Sequence, residues 1–199
     1  MSIKRLSGAG LTTPKSNKMW DQTTFQSGMF ALATVSLTTT STTVVFDNIP
    51  SNYTHLQVRA LVRTNRADVA DGMTLRFNTD TGSNYAYYIL RGDGSGTGSY
   101  NSGGLTTSIL LTYDLASANA TANVFGVGII DVQDYSSTTK TKTVRSLTGR
   151  DNNGDGAVAL DSALWQSTSA ITKLTLAPNA GTSFVANSHF ALYGIKAGS

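Results

Sequence analysis

The stretch Leu56-Gln57-Val58-Arg59-Ala60-Leu61-Val62-Arg63 decides the fold. Leu56, Val58, Ala60 and Val62 alternate with Gln57, Arg59, Leu61 and Arg63. In an extended chain successive side chains point to opposite faces, so this pattern describes a strand with one buried and one wet face. The same period continues downstream. Met73, Leu75 and Phe77 alternate with Thr74, Arg76 and Asn78, and Tyr85, Tyr87 and Ile89 alternate with Ala86, Tyr88 and Leu90. Upstream, Met29–Leu37 and Thr43–Phe46 are apolar segments, and the run 47–52 (DNIPSN) between them and the central stretch has turn composition.

Further along, a glycine-rich loop is expected from Arg91 through residue 104, then strands at Ser108–Tyr113 and Ala122–Val132. The second is apolar on both sides and is expected to be central, with Gly126 and Gly128 marking a bulge or a large side chain packed over them. Thr139–Leu147 carries Lys140 and Lys142 and reads as an edge strand, because lysines there discourage stray pairing. Asp151–Gly156 is a turn, and Ala157–Asp161, Ile171–Leu176 and Phe184–Lys196 complete the pattern. About ten short strands with turn signals between them predict an all-β, jelly-roll-like antiparallel β-sandwich, with a closed barrel as the alternative.

Composition agrees. All 12 acidic residues are Asp, and Glu, a good helix former, is absent. Charged residues make up only 14%, which argues against a charge-laced helical surface or a disordered polyelectrolyte. Cysteine is absent, which excludes disulfides, thiolate metal sites and a Cys nucleophile. No apolar run is long enough to span a membrane as a helix, and the first ten residues lack the apolar stretch of a signal peptide, so assembly in a cytoplasm is expected.

Charge separates residues 1–24 from the body at 25–199. Lys4, Arg5, Lys15 and Lys18 against Asp21 account for the whole net charge of +3. With Gly8, Gly10 and Pro14 and no strong period, this segment reads as an extended basic arm that gains order on a partner. Its candidate partner-binding residues are Lys4, Arg5, Leu6, Leu11, Lys15, Lys18 and Trp20. Four cations spread so widely make a poor phosphate-binding footprint, so the expected partner is protein and not nucleic acid.

Residues that carry catalysis are scarce. His55 and His189 both fall within strand patterns, and no zinc-protease, nucleophile-elbow or phosphate-loop motif is present. Among the carboxylates, Asp131 and Asp134 are the least turn-like. No enzyme and no cofactor are expected. Asp151, Asn153, Asp155 and Gly156 match the first half of a calcium loop, but its twelfth position is Ser162 where a bidentate Glu belongs, so a plain hairpin turn is the preferred reading. Arg91-Gly92-Asp93 is likewise read as part of a turn. Tyr85, Tyr87, Tyr88 and Tyr100 are candidates for contact with a glycan or with another subunit, since aromatic rings stack on sugar faces and also suit protein interfaces.

Three segments carry a family resemblance: residues 46–59 (FDNIPSNYTHLQVR), 75–85 (LRFNTDTGSNY) and 190–196 (FALYGIK). Together they resemble a pattern of accessory virion proteins of tailed bacteriophages, over roughly residues 29–196. The resemblance implies a non-enzymatic structural component of the head, neck or tail, such as a capsid decoration or tail-fibre module, located in the virion. It also implies a homo-oligomer, often a trimer, with other virion proteins as partners. Residues 1–24 lie outside the likeness and are the expected particle-anchoring part. A receptor-binding module that grips host-surface glycan through the tyrosines is the alternative function, and a sugar-cleaving enzyme the third.

Overall fold

The computed structural model describes residues 28–196, which form twelve strands and no helix. The arm at residues 1–24, with all seven of its candidate contact residues, lies outside the described residues. The strands are β1 (Met29–Ser36), β2 (Val44–Phe46), β3 (His55–Val62), β4 (Ala70–Phe77), β5 (Tyr85–Gly92) and β6 (Thr97–Asn101), then β7 (Ile109–Ala116), β8 (Gly126–Val132), β9 (Lys142–Asp151), β10 (Gly156–Trp165), β11 (Leu174–Pro178) and β12 (His189–Ile195).

They form two antiparallel sheets. The larger has the order β1-β12-β3-β8-β9-β10-β5-β6, and the smaller β2-β11-β4-β7. Three hairpins (β5–β6, β8–β9 and β9–β10) stay within the larger sheet, and every other connection crosses between the sheets, which is the jelly-roll-like trait. The sheets remain separate, so the molecule is a sandwich and not a closed barrel.

The alternation in the sequence sets the core. Leu56, Val58, Ala60 and Val62 of β3 all point inward, as do Met73, Leu75 and Phe77 of β4. Phe77, Tyr85 and Trp165 pack together, with centroid separations of 5.4 Å for Phe77–Trp165 and 6.3 Å for the stacked Tyr85–Trp165 pair. Trp165 Nε1 donates to Asp80 Oδ2 at 2.7 Å, so the indole is buried without losing a hydrogen bond. That bond, with those from Asn84, holds the Asp80 carboxyl below the usual aspartate range.

At Gly126 the two sheets approach closely: a Cβ on it would lie 2.8 Å from Leu115 Cα of β7. The ladders on both sides run without a register shift, so backbone approach, and not the expected bulge, explains the glycine.

Three expectations are corrected. The glycine-rich segment after Arg91 is not a continuous loop. Gly98 lies in β6, and the Tyr100 ring packs over it, supplying the cover its missing side chain lacks. The strand at β8 is central, but only its inner face is buried; Val127 and Ile129 on the outer face are exposed. The lysine-bearing strand β9 is not an edge, for it sits between β8 and β10. Lys142 is fully buried and its ammonium donates to the carbonyls of Lys140, Ser137 and Thr168 at 2.6, 2.8 and 3.2 Å. The lysine ties three loop carbonyls together instead of guarding an edge. Lys142→Met keeps the stem and orphans those acceptors, and is expected to cost about 2 kcal/mol in urea denaturation.

Candidate protein–protein interface

The strands β9 and β10 place their side chains against the common rule for a sandwich. The inner face of β9 carries Lys142, Val144, Ser146, Thr148 and Arg150, and that of β10 carries Ala157, Ala159, Asp161, Ala163 and Trp165. The outer face of the same two strands exposes Leu147, Val158 and Leu160. Apart from Val144 and Trp165 near one end, the groups inside are thus small or polar while aliphatic ones face out, the reverse of what burial of apolar surface favours in a lone sandwich.

The inner polar layer is held by ionic contacts. Arg91 Nε donates to the buried Asp114 at 2.7 Å and Arg91 also pairs with Asp93 at 2.8 Å, while Arg150 pairs with Asp155 at 3.1 Å. The Ser146 hydroxyl donates to Asp161 Oδ2. Burial pushes the Asp161 carboxyl up to about 6, against the opposing pull of Ser146 and the Thr112 backbone N–H. Thr112 itself is left-handed (φ 58°), and its hydroxyl accepts from the Asp114 N–H at 3.0 Å. This local distortion of β7 lets Asp114 reach Arg91 across the layers.

On the outer face, strand register aligns the exposed aliphatics into rows. Leu90 lies opposite Leu160, Leu160 opposite Leu147, Leu147 opposite Ile129 and Ile129 opposite Arg59. The next row runs Val158, Gly149, Val127 and Leu61. Each of the seven aliphatic side chains is between 39% and 58% exposed. Together with Tyr88 they expose on the order of 700 Å², more than the largest apolar patch of most monomers. A polar row borders them: Gln57 donates to Asp131 at 2.8 Å and accepts from Arg59 at 2.9 Å, and Arg145 stands cross-strand from Asp131.

The residues singled out from the sequence separate in space. Tyr85 is fully buried in the core, so it cannot touch a glycan or a subunit; its hydroxyl accepts from the Phe77 N–H and donates to Asp80 O. Tyr87 is half-buried against the small cluster of Ile89, Leu110 and Ala159, where burial raises its phenol above the usual tyrosine range. Tyr100 lies opposite the inward-facing Ile89 and meets Tyr113 edge-on at 6.1 Å. Only Tyr88, at 67% exposure, stands on the outer face. It borders a groove of about 530 Å³ that Tyr100 also lines, with Leu90, Asn101, Arg145 and Leu160.

The calcium-like segment forms the β9–β10 turn. Asp151 Oδ1 accepts from the Asn153 N–H at 2.9 Å, Asn153 is left-handed (φ 58°), and Asp155 is engaged by Arg150. Among the described residues no group of three His, Asp or Glu is placed to hold a metal ion. The tripeptide Arg91-Gly92-Asp93 ends β5 and starts the turn to β6, and its two charged side chains pair with each other. His55 Nδ1 accepts from the Asp134 N–H at 3.0 Å, and His189, exposed and not core-facing, shares a 2.9 Å hydrogen bond with Ser36. Asp131 bonds Gln57 and Asp134 pairs with Lys140 at 2.7 Å, so neither is left as a free acid beside a cavity.

The aliphatic rows were missed in the sequence because each leucine looks like a core residue when its strand is read alone. In β9 and β10, Leu147 and Leu160 alternate with Ser146, Thr148 and Asp161, a pattern that taken alone puts the aliphatic side in and the polar side out, so the sequence carried no signal for the reversal. In comparisons with protein-family models, with curated proteins and with solved structures, nothing matches the chain.

Proposed function

We propose that this chain is a non-enzymatic structural protein of a bacteriophage virion, an accessory part of the head, neck or tail that acts by packing against other proteins and is anchored through residues 1–24. The observation that carries the reading is the aliphatic outer face of the larger sheet. Such a face is costly to leave in water and characteristic of surfaces that meet protein. The resemblance of residues 46–59, 75–85 and 190–196 to phage virion proteins supplies the particle. The separation of all net charge into residues 1–24 supplies a handle distinct from the sandwich.

Virions produced with a copy lacking residues 1–24 are expected to contain none of it, while the truncated body stays folded by circular dichroism. Normal incorporation of the truncated copy, read by mass spectrometry of purified particles, refutes the anchoring role. Receptor binding remains the second reading on one observation, the exposed Tyr88 ring beside the polar-edged groove. A glycan array probed with wild type and Tyr88→Ala separates the two.

A further inference from the structure

We infer that the aliphatic outer face pairs with the same face of a second copy about a twofold axis that runs along the strands between β8 and β9. This names the partner for the surface on which the assembly reading rests.

Four observations lead there. First, the face exposes on the order of 700 Å², close to what each partner of a standard stable interface buries. Second, the six strands β12-β3-β8-β9-β10-β5 are arranged symmetrically about the β8/β9 midline, three on each side. A twofold contact needs a patch that is complementary to itself, and such a midline is the natural place for its axis.

Third, that axis opposes aliphatic residues to aliphatic ones or to a glycine at the centre of the face, and lays Arg59 over Leu160 at its border. The register puts Ile129 and Leu147 at one height, Val127 and Gly149 at the next, and Leu61 level with Val158. Rotation about the midline then sets Ile129 of one copy on Leu147 of the other, Leu61 on Val158, and Val127 into the hollow above Gly149. Layers that interdigitate in this way are how aligned sheets pack.

Fourth, the charges match. Asp131 and Arg145 sit cross-strand at one height on either side of the midline, and Arg145 has no ion pair among the described residues. The same rotation brings Asp131 of one copy to Arg145 of the other, twice. The basic segment 1–24 is a poorer occupant, since the border of the face offers it a single carboxylate, which Gln57 already engages. A twofold pair also departs from the trimer that the resemblance implies.

The test is sedimentation of the full chain at micromolar concentration. Wild type is expected to be a dimer and Leu147→Glu a monomer with an unchanged circular dichroism spectrum. Asp131→Arg alone is expected to weaken pairing roughly tenfold or more, and adding Arg145→Asp to restore it. Because the two residues are also cross-strand neighbours within one copy, urea denaturation of the same variants in the monomeric Leu147→Glu background is expected to show changes too small to account for the loss of pairing. A monomeric wild type, a trimer, or a dimer indifferent to all these changes overturns the inference. So does a chain that pairs only once residues 1–27 are removed, because its own leader then covers the face. Monomers that still enter particles overturn the pairing alone; dimers absent from particles overturn the virion reading alone.

Discussion

Replacing Arg63 by leucine is expected to destabilise the chain by about 4 kcal/mol, the largest single effect outside the hydrophobic core. Arg63 follows the last residue of β3, and its guanidinium reaches the connection between β7 and β8. There it donates to four backbone carbonyls: Thr121 and Val124 from one nitrogen at 2.8 and 2.9 Å, Ala118 and Ala120 from the other at 3.1 and 2.9 Å. Hydrogen bonds from a charged donor contribute about 1.5–3 kcal/mol each. Water takes over part of that role at the exposed carbonyls, so the loss is well below four times the single value. Arg63→Lys keeps the charge but not the planar fork, and recovers less than half. Urea denaturation measures the loss, and amide exchange over residues 117–125 is expected to quicken selectively. A cost under about 1 kcal/mol means that the connection does not depend on the guanidinium.

The second large effect depends on pH. The Asp161 carboxyl is raised from 3.8 to about 6 in the folded chain, chiefly by burial. Above about pH 6 the fold must keep a buried carboxylate ionised, and the penalty is complete. As pH falls through 6 towards 3.8 the folded chain takes up a proton that the unfolded chain does not, so stability rises. Below 3.8 both states are protonated and the gain is full. The shift corresponds to about 3 kcal/mol.

Asp161→Asn is therefore expected to stabilise the chain by up to about 3 kcal/mol at pH 8 and to remove the part of the wild-type slope that falls between about pH 6 and 4. Asp80, Asp93 and Asp134 work in the opposite direction. Their folded values are depressed, so the stability they contribute is lost only on further acidification. Parallel denaturation series at several pH values decide the matter. Equal slopes for wild type and Asp161→Asn remove Asp161 as the cause.

Both predictions concern residues that the sequence left unremarked, and for a common reason. Arg63 appeared as one of the polar alternates of β3, and Asp161 as the end of a short strand. Each acts on chain far from its own position: Arg63 on carbonyls more than fifty residues away and Asp161 on Ser146 across a hairpin. Periodicity carries no information about such partners.

The same distinction runs through the fold. In β3 and β4 the alternation was legible down to the residue, because Leu56 to Val62 and Met73 to Phe77 make one apolar face and the other is polar except for Leu61. In β6, Gly98 and the preceding Gly96 erased the pattern, and the strand is recognisable only by its pairing with β5 and by Tyr100 lying over Gly98. In the tyrosine cluster, the period correctly set Tyr85 and Tyr87 apart from Tyr88, but not how deep each would lie.

The sequence by itself determined the class of protein: short strands, turns at residues 47–52 and 151–156, no thiol chemistry, and a charge balance that separates residues 1–24 from the rest. Only the tertiary structure decided which face of β9 and β10 is inside. Alternation says that two faces differ, and it is a local property of the chain. Its sign depends on what the opposite sheet presents, here Thr112 of β7, whose backbone N–H bonds the inward Asp161 of β10, while Leu147, Val158 and Leu160 stand in the open.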